Sequence, residues 1–179
     1  MKLNNCSSAS TATSPLSVRR AVSTDLPRVM GAIDHARGLM RACGNFIQWT
    51  DGYPSAELMA AEIEVGHCFV CVHTASCRVV GTFCFIRGED PTYAHIEQGR
   101  WLNDEPYAAI HRLATDGTVH GVARACLEWC ASQCANLRVD THQDNAPMQH
   151  ILEQHGFVRC GIIRLANGSP RIAYQRIAE

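Results

Sequence analysis

The sequence predicts an α/β fold, a sheet of mixed strand direction covered by helices. Three observations predict it. Short apolar runs alternate with stretches of helical spacing in the order β-α-α-β-β-β-α-β-α-β-β. Of the 179 residues, 46% are hydrophobic and 18% charged, which supplies a sizeable core and excludes a disordered chain. The length suits one domain with a tail.

The elements follow in order. Residues 1–15 are mostly Ser, Thr, Ala and Asn and are expected to form a mobile tail ahead of one domain over 16–179. Leu16–Val22 is a short strand. Ser23-Thr24-Asp25 is an N-cap cluster with Pro27 in the first turn, and Leu26, Val29, Met30, Ile33 and Leu39 carry a helix to about Ala42. Cys43–Tyr53 is a loop. Pro54-Ser55-Ala56-Glu57 opens a second helix that Gly66 ends. Cys68–Val72 and Val79–Ile86 form a hairpin. Gly88–Pro106 is polar and rich in turn residues. Ala108–Thr115 is a strand, Asp116-Gly117-Thr118 a turn, Gly121–Cys134 a helix and Leu137–Thr141 a strand. Asn145-Ala146-Pro147 caps a helix running to about His155 that Gly156 stops. Phe157–Leu165 and Ile172–Ile177 are the last strands.

Charge narrows the partners. Sixteen Lys and Arg against seventeen Asp and Glu give a net charge of −1, with no basic footprint for nucleic acid and no polybasic anchor for a membrane. No apolar run approaches a membrane span, and the first residues lack the apolar centre of a secretory signal, so a cytoplasmic protein is expected. Most of the ten cysteines lie in apolar segments and are expected as reduced core thiols. Cys68 and Cys71 would point to opposite faces of a strand and cannot share a metal. Cys126, Cys130 and Cys134 recur at helical spacing as a core stripe. No metal site is expected.

Chemistry concentrates where the Ala108 strand turns into the Gly121 helix. A strand, a glycine-bearing turn and a helix start expose unpaired N–H groups at the positive end of a helix dipole, which suits a pyrophosphate. A merely structural connection would need small residues there too.

The run Thr118-Val119-His120-Gly121-Val122-Ala123, the Asn145 that begins the last helix and its ending Gly156-Phe157 together resemble the GNAT superfamily of acyl-CoA N-acyltransferases. That family's loop reads Q/R-x-x-G-x-G/A, so the second half matches and Thr118 departs from it. The segments Gln48–Pro54, Gly88–Tyr93 and Trp101–Tyr107 look like a bacterial branch of the family, and the likeness runs from residue 16 to about 177. It implies a mixed, mainly antiparallel sheet with a splayed central parallel strand pair, flanked by about four helices. It also implies acetyl-CoA as cosubstrate and direct transfer of acetyl to a small amine, amino acid or peptide amine. Homodimers are common among such folds.

The resemblance distributes roles. Leu113, Ala114 and Thr115 would meet the pantetheine arm, and the amides of His120, Gly121, Val122, Ala123 and Arg124 the pyrophosphate, with Thr118 and Asn145 at the edges of the same site. Arg124 could supply the charge that Thr118 does not. His111, two residues before Leu113, is the first candidate for general base, and a packed histidine is the alternative. A glutamate common in the family is replaced by Ala109. Glu97, Glu105, Asp140 and His142 are further candidates for the base. The family's usual acid, a tyrosine on the last helix, is replaced by Leu152, which leaves Tyr107 and Tyr53 as substitutes. Trp49, Asp51 and Tyr53 could hold an amine acceptor, or the aromatics could anchor the loop. Two other readings stay open: an acyl-CoA-binding module without catalysis, and a thiol-rich redox or metal protein.

Overall fold

The computed structural model describes residues 15–178. The expected tail lies outside the described residues except for Pro15, which is docked: its carbonyl accepts from the Thr74 amide at 2.8 Å and the Thr74 hydroxyl at 3.1 Å.

The elements are β1 (Leu16–Arg20), α1 (Leu26–Ala42) after a 3-10 turn over Ser23–Asp25, α2 (Ala56–Glu64), β2 (Cys68–His73), β3 (Arg78–Arg87), β4 (Ala108–Thr115), α3 (Val122–Gln133), β5 (Asn136–Thr141), α4 (Ala146–Gln154), β6 (Val158–Arg164) and β7 (Pro170–Ile177). The order is the expected one. Strand β1 stops two residues early and β7 starts two residues early, at Pro170, which is tolerated as the first residue of the strand, ahead of the β5 ladder that begins at Ile172. Ser55 caps α2 by accepting from the Leu58 amide at 3.2 Å.

The strands form one sheet in the order β1-β2-β3-β4-β5-β7-β6. Every pairing is antiparallel except β4 with β5, which run parallel. That parallel ladder matches only Ala108 with Leu137, Ala109 with Arg138 and Ile110 with Val139. Beyond Ile110 the two strands part, and the sheet opens into a fork.

Two layers of helix cover the sheet. Phe69, Phe83, Phe85, Ile110, Leu137 and Tyr174 pack against α3 and α4 on one face. Val70, Val72, Val79 and Ala114 pack against Val29 and Ile33 of α1 and Met59 of α2 on the other. Cys68 belongs to this second face and Cys71 to the first, as strand alternation requires; Cys126 and Cys130 lie in the α3 core stripe. The nine described cysteines are free thiols. Among the described residues no helix is long and apolar enough to cross a membrane.

The segment expected as a polar connection, 88–106, is anchored by buried aromatics. Tyr93 is 1% exposed and packs with Trp101 and Tyr107 over Ala109, Ile163 and Ala173. The buried Arg138 guanidinium lies 4.1 Å from the Trp101 ring and 4.0 Å from the Tyr107 ring, and donates to the Asn103 carbonyl at 2.9 Å. The segment is thereby clamped onto β5 and β7, beside the fork.

Candidate functional site

The fork holds a cavity of about 870 Å³. Strand β4 supplies its floor from Ile110 to Thr115, β5 its opposite wall from Val139 to Thr141, and α4 the side chains of Met148 and Ile151. The loop between α1 and α2 roofs it.

A bulge in β4 shapes the floor. Thr82 pairs with Ala114 and Cys84 with His111, so Phe83 faces two residues, Arg112 and Leu113. Arg112 takes φ of +55°, a left-handed conformation that is strained for a long side chain. The extra residue places His111 and Arg112, neighbours in sequence, on the same face. Arg112 reaches Glu62 of α2 at 2.8 Å and the Tyr53 hydroxyl at 3.0 Å. His111 turns to the 88–106 segment.

There His111 stands between two carboxylates. Its Nε2 is 2.9 Å from Asp90 Oδ2, and its Nδ1 is 3.9 Å from Asp140 Oδ1. Asp90 is fixed in turn by the Thr92 amide at 2.8 Å and the Thr92 hydroxyl at 2.6 Å. Tyr93 donates its hydroxyl to Asp140 Oδ1 at 2.8 Å. Burial opposes the imidazolium, but the Asp90 hydrogen bond and the charges of Asp140 and Asp90 outweigh it and raise the pKa. The His111 hydrogen bond lowers Asp90 to about 2. Asp90 is therefore a carboxylate at neutral pH and accepts only, so His111 Nε2 carries the donated proton and Nδ1 is the basic nitrogen. This carboxylate–imidazole–carboxylate array escapes a sequence reading because Asp90 lies in a turn-rich segment 21 residues from His111.

The expected acceptor residues Trp49, Asp51 and Tyr53 all line the cavity. Arg37 of α1 holds their loop by donating to the carbonyls of Gly52 at 2.9 Å, Tyr53 at 3.2 Å and Pro54 at 2.8 Å. Gln48 Oε1 accepts from Asn45 at 2.7 Å and from Asn145 at 3.3 Å, which ties the loop to the start of α4. Asn145 also caps α4 through the Met148 amide at 3.3 Å.

Leu113, Ala114, Thr115 and Ala123 line the cavity too. Thr118, His120, Gly121, Val122 and Arg124 stand beyond its lining, on the turn into α3. Gly121 takes φ of +81° and its carbonyl accepts the Ala125 amide at 2.9 Å, so the amides of Val122, Ala123 and Arg124 precede the helical ladder. Val122 itself is core. The Thr118 amide and hydroxyl are both taken by Asp116 Oδ1, at 3.0 and 2.6 Å. Arg78 of β3 bonds the Thr118 hydroxyl and reaches Asp116 Oδ2 at 3.4 Å. Arg124 is spent on Glu128 at 2.7 Å, so Arg78 is the guanidinium at this loop.

Other expectations fall differently. Tyr107 is outside the cavity lining; its hydroxyl accepts from the Asp90 amide at 2.8 Å and its ring stacks on Arg138, so it supports Asp90 from behind. Glu97 pairs with Arg164 at 2.8 Å on the β6 edge. Glu105 and His142 do not line the cavity, and burial lowers the His142 pKa, with the Arg171 charge adding to it. Leu152 is wholly buried in the core; α4 turns Ile151 to the cavity instead, and neither carries a hydroxyl.

No family model matches the chain, and no curated protein matches its sequence. Solved structures do. The chain is similar to the crystal structure of a GNAT-family acetyltransferase from Streptococcus agalactiae 2603, with 30% identity and a TM-score of 0.83 over 92% of this chain and 96% of that one. It is similar to a GNAT-family acetyltransferase from Listeria monocytogenes 4b F2365, with 19% identity and a TM-score of 0.65 over 90% and 94%. It is similar in fold to a chain of a NatC complex bound to Gag peptide and CoA, with 13% identity and a TM-score of 0.52 over 92% and 99%.

Proposed function

The chain belongs to the GNAT family of acetyltransferases, and from that premise we propose that it transfers acetyl from acetyl-CoA directly to an amine held in the same cavity. The observation that carries the reading is the fork itself. Past Ile110 the β4 backbone has no β5 partner, so Leu113 to Thr115 offer free edges to an extended pantetheine arm. The first amides of α3, with Gly121 in a left-handed turn and Arg78 beside Thr118, suit a pyrophosphate. One of the similar solved structures holds CoA.

Acetyl-CoA would supply a thioester whose acetyl carbon forms the new C–N bond as its C–S bond breaks, with CoA leaving as the thiol. The residues do the rest. An amine is protonated below about pH 10, so it must lose a proton before it attacks. His111 Nδ1 takes that proton, and Asp90 holds the ring in the tautomer that exposes Nδ1. Asp140, 3.9 Å from Nδ1, stabilises the imidazolium that results. Tyr53 is the tyrosine of the cavity: Arg112 donates to its oxygen at 3.0 Å and leaves its own proton free for the departing sulfur. A thiol of pKa about 8.5 is a fair leaving group even unaided.

The apolar Ile151 and Leu152 favour a second reading, an acyl-CoA-binding module without turnover. One experiment separates the two. Thermal unfolding with acetyl-CoA, CoA and ATP tests the cofactor site, and an amine panel read by chromatographic CoA release tests turnover; thiol reagents would also label exposed Cys43 and Cys77. Stabilisation by both CoA species together with CoA release supports the transferase. Stabilisation without release by any amine supports the binding module. No stabilisation at millimolar acetyl-CoA overturns both.

A further inference from the structure

Arg171 is the second residue of β7, next to the fork. Ile172 pairs with Thr141, the last residue of β5, so Arg171 stands one residue past that ladder. Ala173, two residues on, packs with Tyr93, Ala109 and Ile163, and strand alternation puts Arg171 on that same face, the face of His111. The α3 start lies on the opposite face, with Val122 in the other core.

Arg171 is 8% exposed and lines the cavity. Its Nη1 donates to the Pro170 carbonyl at 2.8 Å, and no other hydrogen bond is made by its guanidinium among the described residues. No carboxylate there approaches it within ion-pair distance. The other arginine of the cavity lining, Arg112, is paired with Glu62, while Arg138 stands outside the lining, stacked on two aromatic rings and donating to a carbonyl with its Nε unpartnered. Burying a cation without a counter-charge is costly, and a guanidinium fork matches a planar anion. The remaining charge in the cavity is acidic: Asp51, Asp90, Asp140 and Asp144. Asp140 sits between the two ends, near His111 Nδ1 and with its field felt by Arg171. A cavity with one unpaired cation and several carboxylates is complementary to a zwitterion.

We propose that Arg171 is a carboxylate clamp, and that the acceptor is an amine carrying its own carboxylate, an amino acid or a peptide with a free carboxyl end. This rests on the transferase reading of the same cavity and specifies its substrate. The carboxylate lies on the Arg171 fork, which leaves the amine toward Asp140 and His111.

The test uses the purified full chain and a panel of amino acids, each paired with its carboxamide. CoA release is measured for every pair, and binding of the same compounds is measured by calorimetry with CoA present. The clamp predicts that acids exceed amides at least tenfold in kcat/KM or affinity. Arg171→Gln should erase that preference mainly through KM, and Arg171→Lys should restore part of it. Equal handling of acids and amides by the unmodified chain overturns the clamp and leaves the transferase standing. Tight binding of acids with no CoA release upholds the clamp and overturns the transferase. Binding of no panel compound, together with no turnover, overturns the clamp. Loss of CoA affinity in Arg171→Gln also overturns it, since Arg171 would then serve a CoA phosphate. If Arg171→Gln fails to fold, the acid–amide comparison on the unmodified chain still decides.

Discussion

His111 Nε2 and Asp90 Oδ2 meet at 2.9 Å, one residue on a central strand and the other in a segment held down by stacked aromatics. The contact makes the imidazole a stronger base than free histidine and dictates which nitrogen does the work.

Asp90→Asn should therefore lower the His111 pKa, because burial then acts with less opposition. The acid limb of the kcat/KM profile moves to lower pH and the plateau falls roughly tenfold or more, as a pH–rate series would show. The same variant changes acid stability. Asp90 titrates at about 2 when folded and 3.8 otherwise, so its contribution is present above pH 4 and is lost as pH falls through 2. That loss, on the order of 2 kcal/mol by urea unfolding between pH 5 and pH 2, should be missing from Asp90→Asn. For His111 the sign is reversed: its contribution is full below pH 6.5 and is lost as pH rises through the raised folded value.

Helix α4 offers two adjacent sites for a tyrosine, with opposite outcomes. Ile151 faces the cavity and Leu152 the core. Leu152→Tyr should cost about 1–3 kcal/mol by overpacking and by burying an unmatched hydroxyl. Ile151→Tyr should fold with near-normal stability and raise kcat if sulfur protonation limits turnover. Thermal unfolding and steady-state rates check both.

Arg112 and Glu62 are each mostly enclosed, with side chains 14% and 13% exposed. Arg112→Ala leaves the inward-facing Glu62 with only the His67 imidazole, 3.0 Å away, and keeps a left-handed backbone without a compensating contact. The expected loss is about 3–5 kcal/mol in chemical denaturation. The double variant with Glu62→Gln should recover part of it.

Arg78 is the guanidinium at the turn before α3, although it comes from a strand edge far away in sequence. Arg78→Ala should weaken CoA binding roughly three- to tenfold, with a smaller salt dependence than the unaltered chain shows in calorimetry. Arg124→Ala, which removes a partner of Glu128, should change CoA affinity little.

The fold was legible because its signals are local. Helix starts at Ala56 and Ala146 follow the caps Ser55 and Asn145, while α1 starts one residue before Pro27 with the expected cap Asp25 turned to Arg19 and the Val22 amide instead, and the strands are apolar runs between glycines and polar turns. Trp49, Asp51, Tyr53, His111 and Leu113 were legible as cavity residues because the family resemblance assigns their loop and strand to the site, and all five line the cavity. Asp90, Tyr93, Arg112 and Arg171 were not. Asp90 and Tyr93 depend on Arg138 stacking between Trp101 and Tyr107, a contact between distant segments. Arg112 depends on a bulge that no residue of β4 announces, since glycine is absent where the backbone turns left-handed. Arg171 reads as an ordinary strand-edge charge until the parting of β4 and β5 exposes it to a cavity.

The β4 bulge has one more implication. If Arg112 is passed over, the strand alternates without interruption: Ala108 and Ile110 face α3, His111 faces away, Leu113 faces α3 again and Ala114 faces α1. Arg112 is a spliced-in residue whose neighbours keep the phase they would have without it. A chain built this way can gain or lose a whole functional group at its reaction centre through a one-residue change in length, with the core left in step. Diversification by insertion is then as open to this strand as diversification by substitution.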